Sequence, residues 1–497
     1  MKLQEPKRIS AGEWDERIKE IPDSFRRDCR YLRSLGDGGV PYLFSPSEYA
    51  RRGDRLLDRL KFDPSAAALR LWAFIFSEKD RLFLAKENGW KIFAVMKDLG
   101  QVPVITYSIP ESLSFYADAL WWAPCFAESP KLLDEAEKLG ATNELCYVRA
   151  ALGAFKTLDY FPMPDLCIAG AGACCDDFSA VMQLIEWQGA KVHWWEIPAR
   201  MKKTAHSSPG TFRKTPFGKS EYPVAAVEFL EQEYKGIVKV LEKEAGMKIS
   251  TGMLKKSIVR FNRIRGLVRE LREMVYTAEK IPLPGLEMLL VEFTGIHACS
   301  EPEEAVNVLE CLTEEVKKRL RAGVSPFNGN PARIYWVTPP TDASVMTLLE
   351  DCGGCVAGTE YLISHSYLPL SENGPPLKAI AENYMDDPMI GSAEFRARRI
   401  VAEARRFRAE GVLMTGIFGA SHCPFEENII GDMIKRELGL PVLSYDVPYS
   451  PGRHSEQMVN RIQSFIEMIK AKRGSSKVLK CESSGVIKIG KFTTNLH

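Results

Sequence analysis

The chain has 497 residues and a net charge of +1, with 45% hydrophobic and 26% charged residues. A single core stops growing at roughly 250–300 residues, so this length predicts two globular units. The balanced charge excludes a general attraction for nucleic acid or for an anionic membrane. Residues 1–8 do not resemble a secretory signal, and no run approaches the roughly 20 apolar residues of a membrane helix. We therefore expect a cytoplasmic protein.

Residues 1–100 carry apolar residues at helical spacing and predict a helical N-terminal extension. Residues 101–221 predict a first α/β cluster-binding lobe, because strand and helix patterns alternate there and such alternation is typical of a parallel sheet with covered faces. The elements predicted in this lobe are strands at 102–107, 162–170 and 190–198 and a helix at 178–188.

Residues 222–325 predict a helical connector, since apolar residues recur at three and four positions and charges fill the opposite face. Residues 326–475 predict a second α/β lobe, and residues 476–497 a flexible tail. The elements predicted in the second lobe are strands at 332–337, 412–416 and 441–446 and helices at 343–352, 393–410, 428–438 and 455–472.

Twelve cysteines in a cytoplasmic chain indicate thiols that are buried, catalytic or metal-binding, because disulfides are disfavoured there. Cys146 enters a predicted helix, Cys174 and Cys175 directly follow the strand at 162–170, and Cys423 follows the strand at 412–416. Ligands of open parallel sheets bind beyond the carboxyl ends of the strands, and a helix start favours thiolate over thiol. Thiolates bind iron–sulfur clusters, so these cysteines are the candidate metal ligands.

Other signals leave alternatives open. Cys352 and Cys355 form a C-x-x-C pattern that suits a metal or a redox pair, although its glycines also suit the end of a helix. His422 is a candidate proton donor or a loop histidine bonded to backbone. The stretch 217–220 resembles the end of a phosphate loop, but Arg213 occupies the required first glycine position. Cys125 stays open, and the cysteines expected to be structural or exposed are Cys29, Cys167, Cys299, Cys311 and Cys481.

Three stretches resemble the 2-hydroxyacyl-CoA dehydratase and benzoyl-CoA reductase family, and together they cover roughly residues 100–470. They are Leu145-Cys146 with Pro162-x-Pro164-Asp165-Leu166 and Cys175-Asp176; Arg333-Ile334-Tyr335-Trp336 through Pro339-Pro340 to Glu350-x-Cys352-Gly353-Gly354; and Gly411-Val412, His422-Cys423, Glu437 to Pro441, Asp446, Ser455-Glu456-Gln457 and Arg461 to Glu467.

The resemblance implies two flavodoxin-like lobes with a [4Fe-4S] cluster between them, bound by Cys146, Cys175 and Cys423. It implies reductive (ketyl-radical) dehydration of a 2-hydroxyacyl-CoA or ring reduction of an aromatic acyl-CoA, with a cluster iron open to substrate oxygen. It also implies anaerobic chemistry, a separate ATP-dependent iron–sulfur activator protein, and a sister subunit or homodimer. His422 or Glu426 would supply the proton.

Two departures from the family pattern keep other functions open. Cys174 stands beside Cys175, and residues 1–100 are additional. Paired cysteines resemble the double-cubane branch of the family, whose members hold an [8Fe-9S] cluster and reduce small molecules without CoA. The extra ligands would come from Cys125, Cys174, Cys352 or Cys355. A third alternative is an electron-transfer or binding scaffold.

The loop that contains Arg200, Lys202 and Lys203, together with Lys214 and Lys219, is basic. It could contact the phosphates of CoA, or it could be a solvated loop.

Overall fold

The computed structural model describes most of the chain. The described residues are 7–29, 42–51, 59–96, 100–117, 129–173, 175–215, 221–338, 343–360, 363–417, 419–420, 423–447 and 456–483.

The chain begins with short helices, as its apolar spacing predicts. The first starts in a capping box, in which the Ser10 hydroxyl accepts a hydrogen bond from the Glu13 amide at 3.3 Å and the Glu13 carboxylate accepts one from the Ser10 amide at 2.7 Å. The helices are α1 (Ala11–Arg17), α2 (Asp23–Asp28), α3 (Pro46–Arg51), α4 (Ala66–Phe76) and α5 (Glu78–Glu87).

Within the described residues, the first sheet has four parallel strands in the order β2-β1-β3-β4. Its elements are β1 (Lys91–Met96), α6 (Val102–Thr106), β2 (Ser112–Tyr116), α7 (Ser129–Lys138), α8 (Ala150–Thr157), β3 (Leu166–Gly172), α9 (Asp176–Trp187) and β4 (Val192–Ile197).

Two expectations for this lobe were wrong. The predicted strand at 102–107 is the helix α6, and β1 lies within residues 1–100, which were predicted to be a helical extension. The sheet therefore begins before residue 101. Apart from Lys91 at the start of β1, both segments are buried and mostly apolar, and periodicity alone cannot distinguish a buried strand from a buried helix. A proline in the first turn of α6 is compatible with a helix start.

A short antiparallel hairpin and four helices follow the first sheet. They are β5 (Phe212–Lys214), β6 (Glu221–Pro223), α10 (Val224–Ala245), α11 (Thr251–Thr277), α12 (Gly285–His297) and α13 (Pro302–Ala322). The long helices α10 and α11 match the amphipathic pattern read in residues 222–277.

The second sheet also has four parallel strands among the residues that the structure describes, in the order β10-β9-β7-β8. Strand β8, like β2 of the first sheet, was missed, and the last helix continues past Arg473 to Ser483, where a flexible tail was expected. The elements are β7 (Ala332–Val337), α14 (Ser344–Asp351), β8 (Gly354–Glu360), α15 (Pro376–Tyr384), α16 (Ala393–Arg406), β9 (Gly411–Ile417), α17 (Glu427–Leu438), β10 (Val442–Val447) and α18 (Glu456–Ser483).

The two sheets share one topology. Numbered by their own chain order, both run 2-1-3-4, which is the order expected of a flavodoxin-like sheet. The switch point, where the chain changes direction across the sheet, lies between β1 and β3 in one and between β7 and β9 in the other. The predicted fold class, α/β with two parallel-sheet lobes, is confirmed.

Helix α12 joins the two sheets. Every residue of α12 is buried, and the helix packs against both β2 and β8, the equivalent edge strands of the two sheets. Because α12 is buried on all sides, it belongs to the shared core of the two lobes. Helix α4 packs against α12 and α13, and Arg70 of α4 forms a buried ion pair with Glu304 at 2.6 Å. The N-terminal helices are therefore tied to the connector.

None of the helices in the described ranges is both long enough and apolar enough to cross a membrane.

Candidate functional site

Cys175 lies where β3 gives way to α9. It is the N-cap residue of α9, it is only 6% exposed, and its thiol donates a hydrogen bond to Asp177 Oδ2 at 3.8 Å. The strand ends at Gly172, whose φ of +95° lies in the left-handed region that glycine tolerates best. The start of a helix carries partial positive charge, and Asp176 and Asp177 lie in this first turn.

Cys146 occupies a similar position at the start of a helical turn. It is the N-cap residue of the 3-10 turn Tyr147–Arg149, which runs directly into α8, and it is 4% exposed. This turn packs against α9, the helix that Cys175 caps. Buried Arg149 donates hydrogen bonds to the carbonyl oxygens of Leu145 and Cys146. A guanidinium therefore holds the backbone on which Cys146 is mounted.

Cys423 and Cys175 follow equivalent strands. Strands β3 and β9 each come third in their sheets and border the switch point, and each leads into a helix, α9 or α17. Cys423 begins the 3-10 turn Cys423–Glu426 that leads into α17. Ligands of such sheets bind at the carboxyl ends beside the switch point. The side chain of Cys423, and the whole of Cys125, Cys174 and His422, lie outside the described residues.

A contact at Gly419 brings the loop of Cys423 against the turn of Cys146. Gly419 has a φ of +76°, and a β-carbon built on it would lie 2.7 Å from both Glu144 O and Leu145 C. Any side chain there would meet backbone, which cannot move aside as a flexible side chain can. The two lobes therefore meet within a few residues of Cys146 and Cys423.

Arg396 of α16 ties together the carboxyl ends of the second sheet. It is buried, and it forms ion pairs with Glu360, at the end of β8, and with Glu426, after β9, at 2.7 and 2.8 Å. Its Nη2 also donates to Thr338 Oγ1 at 2.7 Å. Thr338 follows β7 with a φ of +51°, a rare conformation for a β-branched residue. Glu426, the predicted proton donor, therefore lies in contact with Arg396.

A neighbouring carboxyl group, Glu427, was missed by sequence reasoning. Burial, together with the negative charge of Asp446, raises the pKa of Glu427 to about 7, although Arg396 partly offsets the effect. A β-carbon on Gly416 would overlap Asp446 Oδ1 and lie 3.0 Å from Glu427 Oε1, so both carboxyl groups converge on this glycine of β9. Glu427 is therefore partly protonated near neutral pH. In the sequence, only the adjacency of Glu426 and Glu427 pointed to this site. It does not reveal which of the two glutamates pairs with Arg396.

The C-x-x-C pattern lies at the wrong end of the second sheet. Cys355 pairs in register with Arg333 at the amino end of β8, whereas Cys423 lies beyond the carboxyl end of β9. Strands of this length place these ends about 20 Å apart, so Cys352 and Cys355 cannot share a cluster with Cys423. Burial also raises the pKa of Cys355 to about 12, which keeps it a thiol.

Most of the remaining cysteines behave as expected of core residues. Cys29, Cys167 and Cys299 are buried and Cys311 is partly buried. Burial raises the pKa of both Cys29 and Cys167 to about 12, so neither is poised to be a thiolate.

No three His, Cys, Asp or Glu side chains converge as a metal site within the described part of the chain. That part omits the thiols of Cys174 and Cys423. The residues that it does include still suit an iron–sulfur cluster, because Cys146 and Cys175 supply two buried thiols at adjoining helical starts and the Cys423 loop closes against one of them.

A comparison with models of protein families identifies the family of this chain. Residues 106–469, well over half of the chain, match the model of the 2-hydroxyglutaryl-CoA dehydratase D-component. The chain belongs to this family. The match spans β3, β9, the connector helices and the Cys146, Cys175 and Cys423 positions, and it leaves β1 and the N-terminal helices outside. The resemblance read from the sequence is therefore confirmed.

Family membership makes the chain a dehydratase-type subunit of the 2-hydroxyacyl-CoA dehydratase family. No curated protein matches it significantly. The roles predicted for Cys146, Cys174, Cys175, Cys423, His422 and Glu426 stay predictions.

Proposed function

We propose that this chain is the iron–sulfur subunit of an enzyme that eliminates water from a 2-hydroxyacyl-CoA. Cys146, Cys175 and Cys423 would hold a [4Fe-4S] cluster at the crevice between the two sheets. A separate ATP-hydrolysing iron–sulfur activator would deliver the electron, and a sister subunit or second copy would complete the enzyme.

One observation carries this proposal. Gly419 seats the loop that leads to Cys423 directly on the backbone before Cys146, while the turn of Cys146 packs against the helix capped by Cys175. Three cysteines that are far apart in sequence are thus mounted on adjoining backbone segments. They lie at the edge where parallel sheets bind their ligands.

The protein's own groups suit an anionic, buried cofactor. A cluster on three thiolates would supply low-potential one-electron chemistry and an iron open to a substrate oxygen. The start of α9 directs its partial positive charge at Cys175, and buried Arg149 places a cation beside the Cys146 backbone. Both features stabilise negative charge at this position.

Loss of a hydroxyl group as water also requires a proton. Among the described carboxyl groups near Cys423, Glu427 is the one whose pKa lies near neutral, where a general acid is most effective. Glu427 would hold this proton on its carboxyl oxygen. His422 and Glu426 stay alternative donors, and Glu426 is in an ion pair with Arg396.

Metal content tests the ligand set. We would purify the full chain without oxygen and measure iron and acid-labile sulfide in the wild type and in C146S, C175S and C423S. Cys355→Ala is the matched control, because it removes a buried thiol at the opposite end of a sheet. We expect about four irons per wild-type chain, a large loss in the three serine variants and no change in the control.

The iron count also separates the alternatives. About eight irons per chain would replace this proposal with the double-cubane cluster and small-molecule reduction. Its extra ligands would then be Cys125 and Cys174, since Cys352 and Cys355 lie too far away. An absence of iron after anaerobic reconstitution would overturn both.

Turnover separates an enzyme from a scaffold. The loaded protein, mixed with its activator, ATP and a reductant, should convert a 2-hydroxyacyl-CoA to the 2-enoyl-CoA. A cluster that cycles without any change in the thioester would support an electron-transfer scaffold instead.

A further inference from the structure

The described parts of residues 7–87, called the strap below, join the two lobes on the side away from the cluster crevice. The strap precedes the residues that match the family model, which begin at 106, so the match assigns it no role. Its first residues contact the second lobe, its middle contacts the connector, and its last helix, α5, leads directly into β1 of the first sheet. The strap therefore reaches both lobes.

Arg8 and Lys61 fasten the strap to the second lobe. Arg8, whose side chain is 11% exposed, forms ion pairs with Glu350 at 3.0 Å and with Asp351 at 2.9 Å. Lys61 contacts the same Asp351 carboxylate at 2.7 Å, and its amide donates a hydrogen bond to Thr347 Oγ1 at 3.3 Å. All three acceptors belong to α14. Two cations from separate parts of the strap thus converge on the last turn of one helix.

The backbone of the strap holds these two cations near α14. Arg8 directly precedes Ile9, and Lys61 directly precedes Phe62. Ile9 and Phe62 form an antiparallel bridge, in which the two amide-to-carbonyl distances are 2.8 and 2.7 Å. Phe62 is fully buried, and its ring meets that of Trp72 edge-on at a centroid distance of 4.9 Å. Both cations are therefore carried by ordered backbone.

The middle of the strap is anchored to the connector by buried groups. Arg319 Nη2 of α13 donates to Asp63 Oδ1 at 2.8 Å. The Asp63 amide and the Trp72 indole both donate to Glu287 Oε1, at 2.9 and 3.0 Å. Glu287 is buried near the start of α12, the helix shared by the two lobes. None of these contacts involves Arg8, so the strap stays on the connector when its contacts with α14 are removed.

The other end of the strap is continuous with the first lobe. Helix α5 packs against β1 and β2. Its Lys86 forms an ion pair with Asp165 at 2.9 Å, and Asp165 Oδ2 also accepts a hydrogen bond from the Ile92 amide at 2.8 Å. Asp165 directly precedes β3, and Ile92 is the second residue of β1. This end of the strap therefore lies at the amino ends of the first sheet.

The anchors of the strap lie opposite the cluster cysteines. Asp351 lies just before β8 and Asp165 just before β3, whereas Cys175 and Cys423 follow the carboxyl ends of β3 and β9. Strands of seven residues, such as β3 and β8, separate these ends by about 20 Å. Lobes that turn about α12 to part their carboxyl ends would have to move their amino ends against the strap.

We propose that the strap holds the two lobes at a fixed spacing and thereby keeps the cluster crevice closed. The inference rests on the proposed function, because it takes the crevice as the site of the cluster. Cys146 and Cys175 are only 4% and 6% exposed, so a reagent reaches their thiols through an opened state. Detaching the strap from α14 would make that opened state more frequent.

Thiol accessibility in the iron-free, full-length chain tests the strap without the cluster. Burial raises the pKa of Glu350 to about 7, so the reaction with iodoacetamide is run at pH 8, where most of this carboxyl group is ionised. Mass spectrometry would follow each cysteine peptide. In R8M/K61M we expect Cys146 and Cys175 to be alkylated at least about fivefold faster than in the wild type.

The matched control is K138M/K235M, which also removes two cations, each paired within a single helix. Its alkylation rates should stay within about twofold of the wild type. Asp351→Asn is a second strap variant, because Asp351 contacts both strap cations and is itself partly exposed. It should speed the alkylation of the same two cysteines.

Two results would overturn the proposal. One is a wild-type alkylation rate in both strap variants. The other is equally faster alkylation of Cys167, which lies within β3 and is 1% exposed, because it would mean general unfolding and not an opened crevice.

Iron release separates this inference from the proposed function. A ferrous chelator should remove iron from loaded R8M/K61M at least about fivefold faster than from the loaded wild type. A wild-type chain that binds no iron would overturn the proposed function, and the alkylation rates would still decide the strap. A wild-type chain that binds iron, with release and alkylation both unchanged in R8M/K61M, would overturn only the strap.

Discussion

Gly419 lies against the backbone of Leu145, so close that a β-carbon at position 419 would sit 2.7 Å from the Leu145 carbonyl carbon. This relationship links the two lobes beside Cys146 and Cys423. We expect Gly419→Ala to displace the Cys423 loop, because the residue has a φ of +76° and its new methyl group would meet backbone. The iron content after anaerobic reconstitution should fall sharply.

The control for that variant is Gly439→Ala. Gly439 also has a positive φ, +63°, but a β-carbon there would meet nothing within 4 Å. It should cost about 1 kcal/mol of unfolding free energy through backbone strain alone and leave the iron content unchanged. Equal iron content in the two variants would contradict the lobe contact.

Arg396 should be essential for the stability of the second lobe. Arg396→Met would leave the carboxylates of Glu360 and Glu426 buried without their cation, and removing one partner of a buried pair costs about 3–5 kcal/mol. Arg398→Met, two residues along the same helix, breaks only an exposed pair and should cost less than about 1 kcal/mol. Urea unfolding measures both, and comparable losses would argue against the network.

The C-x-x-C cysteines should be dispensable for the cluster. Because Cys352 and Cys355 lie at the amino end of β8, the double variant C352S/C355A should retain the wild-type ratio of iron to chain. Its reduced form should also give the wild-type electron paramagnetic resonance spectrum. Loss of half the iron would show that this pair binds metal after all.

Glu427 should make stability depend on pH. Its pKa is raised from 4.5 to about 7, so the folded state binds the proton more tightly than the unfolded chain does. The contribution is fully present below pH 4.5 and is lost as the pH rises through about 7. Glu427→Gln should therefore gain stability relative to the wild type between pH 5 and pH 8.

Urea titrations at several pH values measure this difference. Glu437→Gln is the control, since Glu437 is an exposed carboxylate on the same helix. Asp446→Asn should lower the pKa of Glu427 and weaken the pH dependence, because Asp446 contributes to the shift. A Glu427→Gln profile parallel to that of the wild type would show that another group titrates.

The sequence by itself determined the fold class, the strands β3, β4, β7, β9 and β10, and the candidate cysteines. Alternating strand and helix patterns predict parallel sheets, and the carboxyl ends of such strands are where ligands bind, so Cys175 and Cys423 could be singled out from their local context. It could not assign β1 and α6 correctly, because both are short buried apolar runs whose periodicity carries no information.

Tertiary structure alone decided which of these residues can act together. The spacing of Cys352 and Cys355 suggests a metal pair, but only the strand register places them at the opposite end of the sheet. Glu426 and Glu427 are adjacent in the chain, yet Arg396, thirty residues before Glu426, pairs with one and leaves the other with a raised pKa. Such electrostatic environments arise from contacts between distant segments, which no local pattern encodes.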